Sequence, residues 1–533
     1  MPRQFNTAHA NRPHQHYTLP AFDRLPPDIV DLVADGYYFV LHAPRQSGKT
    51  TSMMALADKL RLDGHYAVVF ATVEAARTAH TEERVVAVVV RVLCLAAQAQ
   101  LAEAECPPAE LPADAADSGT RLYALLRKWS QACPRPLVLL VDEIDCLQDE
   151  GLVSVLSQFR MGYAERPKAF PHSVCIFGMR DVRDYKVRSR GSAVLGTTSP
   201  FNIKRESLTV ANFSLADITA LYGQHTAETG QVFTEAALDR AWQLSQGQPY
   251  LVNALADNVV RKQRWSGPID APQIEVAKEQ IILEWGTHFD SLMAILRDDR
   301  VRRVIQPIMA GTVDPTVPWE DDRFCRDLGL ITGKPPQLSN PIYREVIPRF
   351  LTRGHQLAME AYPGRWHTAD GRLDIAALRQ SLLAFWREHA EGFVKVEDYH
   401  EVAAQLVVMA FLQRVVNGGG QILREYAAGS GRIDILIKWP VADAQGKVDL
   451  YGDHFEHHLW ELKVWADKHK AADPKGEALV QLGEYMARVP CDSATLVIFD
   501  RRAAALQVAW EDRVRVEDDA PVVHGVGVVV VRG

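Results

Sequence analysis

Ala43-Pro-Arg45-Gln46-Ser47-Gly48-Lys49-Thr50-Thr51 gathers a glycine, a lysine and three hydroxyls in one short run. It follows the apolar stretch Tyr37–Leu41 directly, and a helical pattern from Ser52 to Leu60 begins just after it. A loop between a buried strand and a helix start aims backbone N–H groups and the positive end of the helix at one point, which suits phosphate. Lys49 adds a charge for the outer phosphates, and the Thr50 hydroxyl can join a Mg2+ shell. Alanine stands at the first position, where glycine is usual, at some cost in backbone freedom. A second apolar run, Pro136 to Val141, ends in Asp142-Glu143-Ile-Asp145. Asp142 would hold Mg2+ through water and Glu143 would orient the attacking water. Both motifs in order point to a nucleotide site, with ATP and Mg2+ as the expected occupants. Arg180 follows a third apolar strand, Val174 to Phe177, and is a candidate γ-phosphate sensor; a surface arginine in a charged run is the alternative. Pro249, in Gly247-Gln-Pro, opens a helix that can pack on the nucleotide; a plain helix-starting turn with proline at its first position reads equally well.

A second constellation lies near the C-terminus. Gly431-Arg-Ile-Asp434-Ile-Leu-Ile437 reads as a strand, and Leu459-Trp-Glu461-Leu-Lys463-Val464 as another. Side chains alternate along a strand, so Leu459, Glu461 and Lys463 share one face and Trp460, Leu462 and Val464 the other. Asp434 and Glu461 on adjacent strands can hold a hard cation through oxygen, Mg2+ or Mn2+. Lys463 beside them can orient water or help deprotonate it, which suits metal-assisted phosphodiester hydrolysis. A helix from about Gly476 to Arg488 carries Gln481 and Tyr485 on one face. Glu401, on a helix from Tyr399 to Val416, or Glu425, on the intervening strand, can complete the metal shell. A half-exposed strand with a Glu461–Lys463 ion pair is the plainer reading of the same residues. His454, His457 and His458 crowd the segment before Glu461. They lack matching cysteines for zinc and read as a solvated loop.

Around these motifs the chain must supply several domains. At roughly 150 residues each, 533 residues make three or four. The apolar share of 47% with 24% charged residues describes a core-forming chain and excludes a disordered one. The net charge of −8 excludes a strongly basic nucleic-acid coat, so any such contact needs a local patch. Seven cysteines without a CxxC pair argue against a disulfide framework and for a reducing, cytoplasmic setting. The most apolar stretch, Val85–Ala97, is interrupted by Arg91 and too short to cross a membrane, so no membrane partner is expected. Strand-like runs at 37–41, 66–72, 136–141 and 173–178 alternate with helices, which predicts a parallel sheet covered on both faces. After Ser199 the strand signal fades and helical spacing takes over, with Ser214-Leu-Ala-Asp217 resembling a capping box. Helices and a short hairpin between 288 and 354 suggest a winged-helix-like unit. The expected division is an arm (1–30), a nucleotide domain (31–205), a helical lid (206–287), the winged-helix-like unit (288–354), a linker and helix (355–392) and a separate α/β domain (393–533).

The N-terminal half resembles AAA-like ATPases of the STAND-related P-loop class. Its carrying residues are Phe5-Asn-Thr, His42 to Thr51, Val141-Asp-Glu-Ile-Asp145, Phe177-Gly-Met-Arg180-Asp, Gly247-Gln-Pro-Tyr-Leu-Val-Asn253 and Asn340-Pro-Ile-Tyr343. The C-terminal part resembles the PD-(D/E)xK nuclease superfamily through Arg424-Glu-Tyr, Gly431-Arg-Ile-Asp434, Glu461-Leu-Lys463 and Gln481-Leu-Gly-Glu-Tyr485. Ile433 stands where that superfamily's name has proline. The resemblance implies an α/β fold with helical lid and winged helix followed by a restriction-endonuclease-like domain. It implies DNA as substrate and strengthens Arg180 as a sensor. P-loop switches often assemble, so homo-oligomers fall within the expectation. The expected activity is ATP-regulated DNA cleavage, with defence against foreign DNA suggested by the domain pairing. A nucleotide-dependent signalling switch with an inactive nuclease-like module, or a DNA repair or remodelling ATPase, are the alternatives.

Overall fold

The computed structural model describes residues 3–8, 11–108, 117–147, 149–178, 207–284, 287–309, 316–351, 366–368, 370–394, 408, 411–412, 420–428, 431–442, 454–465, 472–500, 502 and 504–533. The chain folds as two compact units, Met1–Val304 with Thr316–Pro341, and Ile305–Pro315 with Ile342–Gly533.

In the first unit, β1 (Tyr38–His42), β2 (Ala67–Thr72), β3 (Leu137–Asp142), β4 (Ser173–Gly178) and β5 (Ser207–Thr209) form one parallel sheet in the order β2-β3-β4-β1-β5. Helices α1 (Ile29–Ala34), α2 (Lys49–Leu62), α3 (Glu82–Gln100), α4 (Ser118–Ala132) and α5 (Asp149–Met161) cover it. Tyr38 and Val40 join a core with α3, α4 and α5, while Phe39 and Leu41 join a second core with α1 and α2. Every residue of β1, β3 and β4 is therefore buried, which is why these strands read as unbroken apolar runs. The expectation that strands end before residue 200 is corrected by β5, which pairs with Val40–His42. Its three residues, Ser-Leu-Thr, are too few and too polar to show a strand pattern, and the sheet extends past the expected boundary at 205.

The lid comprises α6 (Leu215–Thr229), α7 (Glu235–Ser245), α8 (Pro249–Asp257) and α9 (Ala271–Glu284). Ser214 caps α6 with the full reciprocal box, aspartate serving where glutamate is usual. The polar N-terminal arm is anchored by two aromatic residues. Phe5 and Tyr17 are buried against Tyr222, His225 and Phe233. Beyond the lid come α10 (Thr287–Leu296), α11 (Asp299–Met309), α12 (Trp319–Asp327), the antiparallel pair β6 (Ile331–Thr332) and β7 (Gln337–Leu338), and α13 (Pro341–Leu351). The division between the units passes through α11 and meets the start of α13, so segment 288–354 is shared between them.

The second unit is built on a mixed sheet of β8 (Gln421–Ala428), β9 (Gly431–Pro440), β10 (Phe455–Trp465), β11 (Ser493–Asp500), β12 (Arg515–Val516), β13 (Val522–Val523) and β14 (Val526–Arg532). β8, β9 and β10 are antiparallel neighbours, whereas β10, β11 and β14 run parallel. Trp460 and Leu462 pack with the helix Ile375–Val394 on one face, and Leu459 packs with the helix Lys475–Met486 on the other. The predicted alternation along 459–464 is thus realised. The histidine loop is not: His457 and His458 lie within β10, and only His454 precedes it. His458 is buried and shares a hydrogen bond with Ser493 Oγ at 2.8 Å. The pairing of β10 with β11 takes it out of water, which no local pattern announces.

All seven cysteines are free. Among the described residues no helix is long and apolar enough to cross a membrane.

Candidate functional sites

At the C-terminal end of β1 the chain turns through the P-loop into α2. Gln46 (φ 57°) and Gly48 (φ 83°) take left-handed conformations there. Ala43 is not among these positive-φ residues, so alanine at the first position costs the loop nothing it needs. Lys49 is buried; its Nζ stands 3.7 Å from Asp142 Oδ1 and 3.9 Å from Glu143 Oε1. Thr50 Oγ1 donates to Asp142 Oδ2 at 2.9 Å. Buried Ser47 Oγ makes no hydrogen bond to the described residues. A lysine, two hydroxyls and a carboxylate converge here, and the Thr50–Asp142 oxygen pair fits a hard cation such as Mg2+. Glu143 is left-handed (φ 60°), and Arg77 Nη2 lies 3.6 Å from its carboxylate. Arg77 was not legible as a site residue, since it sits in an alanine-rich stretch far from either motif. Arg180 lies outside the described residues.

Beside this cluster opens a cleft between the arm, the P-loop and the lid. Gln46, Gly48 and Thr51 line it from the P-loop, and Phe213, Pro249, Tyr250 and Asn253 from the lid side. Ser47, Lys49 and Thr50 do not line it, Lys49 and Thr50 facing Asp142 instead, and Arg45 is exposed at the turn. A hydrogen-bonded chain borders the cleft. The Asn11 N–H donates to Thr51 Oγ1 (3.4 Å), Asn6 Nδ2 to Asn11 Oδ1 (2.6 Å), the Asn6 N–H to Asn253 Oδ1 (3.3 Å) and Asn253 Nδ2 to the Pro249 carbonyl (2.8 Å). Pro249 is among the residues that line the cleft. It is the first residue of α8, whose cap Gln248 accepts from the Leu251 N–H at 2.7 Å. Left-handed Gly247 permits this turn: a Cβ there would fall 1.8 Å from the Phe213 carbonyl oxygen. The turn after α12 also reaches the P-loop. His42 Nε2 is 3.9 Å from Asp327 Oδ1, and a Cβ on Gly329 would lie 2.5 Å from Pro44 Cγ.

In the second unit, the Leu462 N–H donates to Asp434 Oδ2 at 2.8 Å, which brings the Asp434 carboxylate to the strand that carries Glu461 and Lys463. Lys463 Nζ lies 2.8 Å from Glu461 Oε1. Burial pushes the Glu461 carboxyl up, the Asp434 charge adds to this, and Lys463 opposes it. Burial works against the Lys463 charge, but Glu461 and Asp434 outweigh it and hold the ammonium above its usual range. Gln481 lies on the same helix face as Ala478, Leu482 and Tyr485, which pack against the Leu459 side of the sheet. Glu461 Oε2 and Gln481 Oε1 are both buried and make no hydrogen bond to the described residues. A buried carboxylate oxygen without a partner, with the Asp434 carboxylate held at the neighbouring residue's N–H, suits a divalent cation with oxygen ligands. Among the described residues no cluster of three His, Cys, Asp or Glu forms. Arg424 pairs with Ile435 and Tyr426 with Ile433, which puts the Glu425 backbone level with Asp434. Its side chain and all of Glu401 lie outside the described residues. Beyond Lys463, the Arg502 guanidinium stacks 3.2 Å from the Trp465 ring centroid. Arg502, Arg532 and Lys475 are each paired with carboxylates: Asp500, Asp473 with Glu517, and Glu517 with Asp519 respectively.

No family model matches the sequence, and no curated protein matches it. Among solved structures, similar chains include a Walker-type ATPase of Pyrococcus abyssi, with 13% identity and a TM-score of 0.43 over 64% of this chain and 99% of that one. The RuvB Holliday junction branch migration motor of Thermotoga maritima shows 12% identity and a TM-score of 0.34 over 62% and 98%. Cdc6p of Pyrobaculum aerophilum shows 13% and 0.33 over 66% and 97%. The parallel five-stranded sheet and its helices, with the glycine-lysine-threonine turn at the end of β1, fit the P-loop NTPase fold.

Proposed function

We propose that the chain is an ATP-binding, ATP-hydrolysing switch joined to a metal-dependent nuclease that cuts DNA, acting in the cytoplasm. The nucleotide half rests on Lys49, Thr50, Asp142 and Glu143 meeting at the end of the parallel sheet beside a cleft bordered by the arm and the lid. Lys49 binds the outer phosphates, Thr50 and Asp142 hold Mg2+, and Glu143 orients water for attack on the γ-phosphate. Only ATP offers that phosphate, so ATP and ADP favour different placements of the lid and of the turn at Gly329. Defence against foreign DNA is the role the pairing of domains supports, and assembly into homo-oligomers belongs to the same reading.

The single observation that carries the nuclease half is the buried Glu461 Oε2, without a hydrogen-bond partner among the described residues, on the strand where Asp434 and Lys463 meet it. Mg2+ or Mn2+ bound there would polarise a phosphodiester and lower the pKa of water. Asp434 and Glu461 hold that ion, Gln481 supplies a neutral oxygen, and Lys463 keeps a positive charge where the attacked phosphate gathers negative charge. DNA as substrate rests on the resemblance to the PD-(D/E)xK superfamily.

A second reading, a nucleotide switch whose C-terminal unit binds a partner without cutting, is favoured by one observation. Among the described residues, Arg502 and Arg532 beside Trp465 are each paired with carboxylates, which weakens their pull on a phosphate backbone. One experiment separates the two. Supercoiled and linear DNA are incubated with the protein, Mg2+ or Mn2+, with and without ATP, beside Asp434→Ala and Lys463→Ala. Metal-dependent cleavage lost in both variants supports the nuclease; no cleavage in any condition, or cleavage unchanged in both variants, leaves the switch.

A further inference from the structure

Among the described residues Arg24 is the one charged side chain lining the cleft, and no sequence motif marks it. It ends a single helical turn, Phe22–Arg24, just after the arm. Its Nη2 donates to the Ser47 carbonyl at 2.7 Å and to the Ala211 carbonyl at 2.6 Å, and its Nε reaches the same Ala211 carbonyl at 3.1 Å. The guanidinium lies 4.7 Å from the Phe213 ring centroid. It also covers the bare face of the P-loop glycine, since a Cβ on Gly48 would fall 2.6 Å from Nη1.

Such surroundings are unusual for an arginine. Among the described residues no carboxylate stands within ion-pair distance of Arg24; its partners are neutral carbonyls and an aromatic face. Burial draws its pKa down to about 10, with Asp217 opposing from farther away. A partly desolvated guanidinium without a counter-ion is a strong anion seeker, because its planar fork matches phosphate oxygens and little hydration must be lost. Ser47 and Ala211 offer it only carbonyl dipoles, which a phosphate outcompetes. The geometry further selects which phosphate. Lys49, Thr50, Asp142 and Glu143 collect on the far side of the loop, whereas Arg24 shares the cleft with the arm and Thr51, on the nucleoside side.

We infer that Arg24 is a nucleotide ligand that contacts the phosphate nearest the nucleoside, turning to it from the Ser47 and Ala211 carbonyls. This rests on the nucleotide-site reading above and adds a binding residue to it. The test is calorimetric titration of the full chain with ATP, ADP, AMP and adenosine, comparing wild type with Arg24→Ala and Arg24→Gln. Glutamine keeps an amide donor for the two carbonyls, so it guards against loss of the fold. In both variants ATP, ADP and AMP should weaken by a common factor of about tenfold or more while adenosine binding stays unchanged. Equal phosphate-bearing affinities in wild type and both variants overturn the inference alone. A loss for adenosine as large as that for AMP also overturns it, since Arg24 would then serve the base or the fold. A wild type that binds none of the four overturns the nucleotide-site reading and this inference with it.

Discussion

The Thr50 hydroxyl donates to Asp142 at 2.9 Å, joining residues 92 positions apart across the mouth of the sheet. β4 lies between β3, which ends in Asp142, and β1, whose following loop leads to Thr50 at the start of α2, so the contact depends on the order β3-β4-β1 and on nothing local. With Mg2+-ATP, both oxygens would turn to the ion. Thr50→Val should therefore slow Mg2+-dependent ATP hydrolysis by on the order of tenfold or more, while binding of metal-free ATP changes little. Phosphate release with and without Mg2+ checks this; equal loss in both conditions refutes the ion-holding role.

Lys49 and Glu143 should separate binding from hydrolysis. Lys49→Ala is expected to weaken ATP binding by about tenfold or more, because it removes the cation that the outer phosphates meet. Glu143→Gln should leave affinity close to wild type and slow hydrolysis by about a hundredfold or more, because the amide cannot accept the proton of the attacking water. Parallel titrations and turnover measurements decide both.

Asp434, Glu461 and Gln481 should share a divalent ion. Calorimetry with Mn2+ in the absence of nucleotide should show a site in a Lys49→Ala background that disappears with Glu461→Ala or Asp434→Ala. Gln481→Ala should weaken it less, by roughly tenfold or under, since a neutral oxygen contributes less than a carboxylate. Mn2+ binding that survives the loss of either carboxylate rules out the shared ion.

His458 makes stability depend on pH. Burial lowers its pKa from 6.5 to about 4, with Asp492 opposing. The unfolded chain then binds a proton between those values that the folded one does not, so stability falls as pH drops from about 6.5 toward 4 and is unaffected above. The full effect is up to about 3 kcal/mol. Urea unfolding at pH 7, 5.5 and 4.5 should show this slope, and His458→Gln should flatten it.

Gly247→Ala should disrupt the turn into α8. The new Cβ meets the Phe213 carbonyl, and the left-handed backbone (φ 72°) disfavours alanine as well. A loss of about 2 kcal/mol or more is expected, seen as a lower thermal midpoint and weaker nucleotide binding together. Unchanged values in both would show that the lid tolerates a shifted turn.

Much of this protein is local and was readable from residue order alone. The buried strands at 38–42, 137–142 and 173–178 announce themselves because parallel strands covered on both faces must be apolar throughout. The loop with Gly48-Lys49-Thr50 and the alternation Leu459-Glu461-Lys463 are equally legible, since helix starts and strand faces follow from spacing of a few residues. Tertiary structure decided the rest, because it depends on which distant segments meet. β5 exists only by pairing with β1, and His458 becomes a buried partner of Ser493 only because β11 runs beside β10. Asn6 meets Asn253 of the lid at the cleft because Phe5 and Tyr17 pin the arm to the lid, and Arg24 is held there by the Ser47 and Ala211 carbonyls. Burial and hydrogen bonding between segments tens to hundreds of residues apart leave no periodicity behind, so chemistry that rests on such meetings appears only in the folded chain.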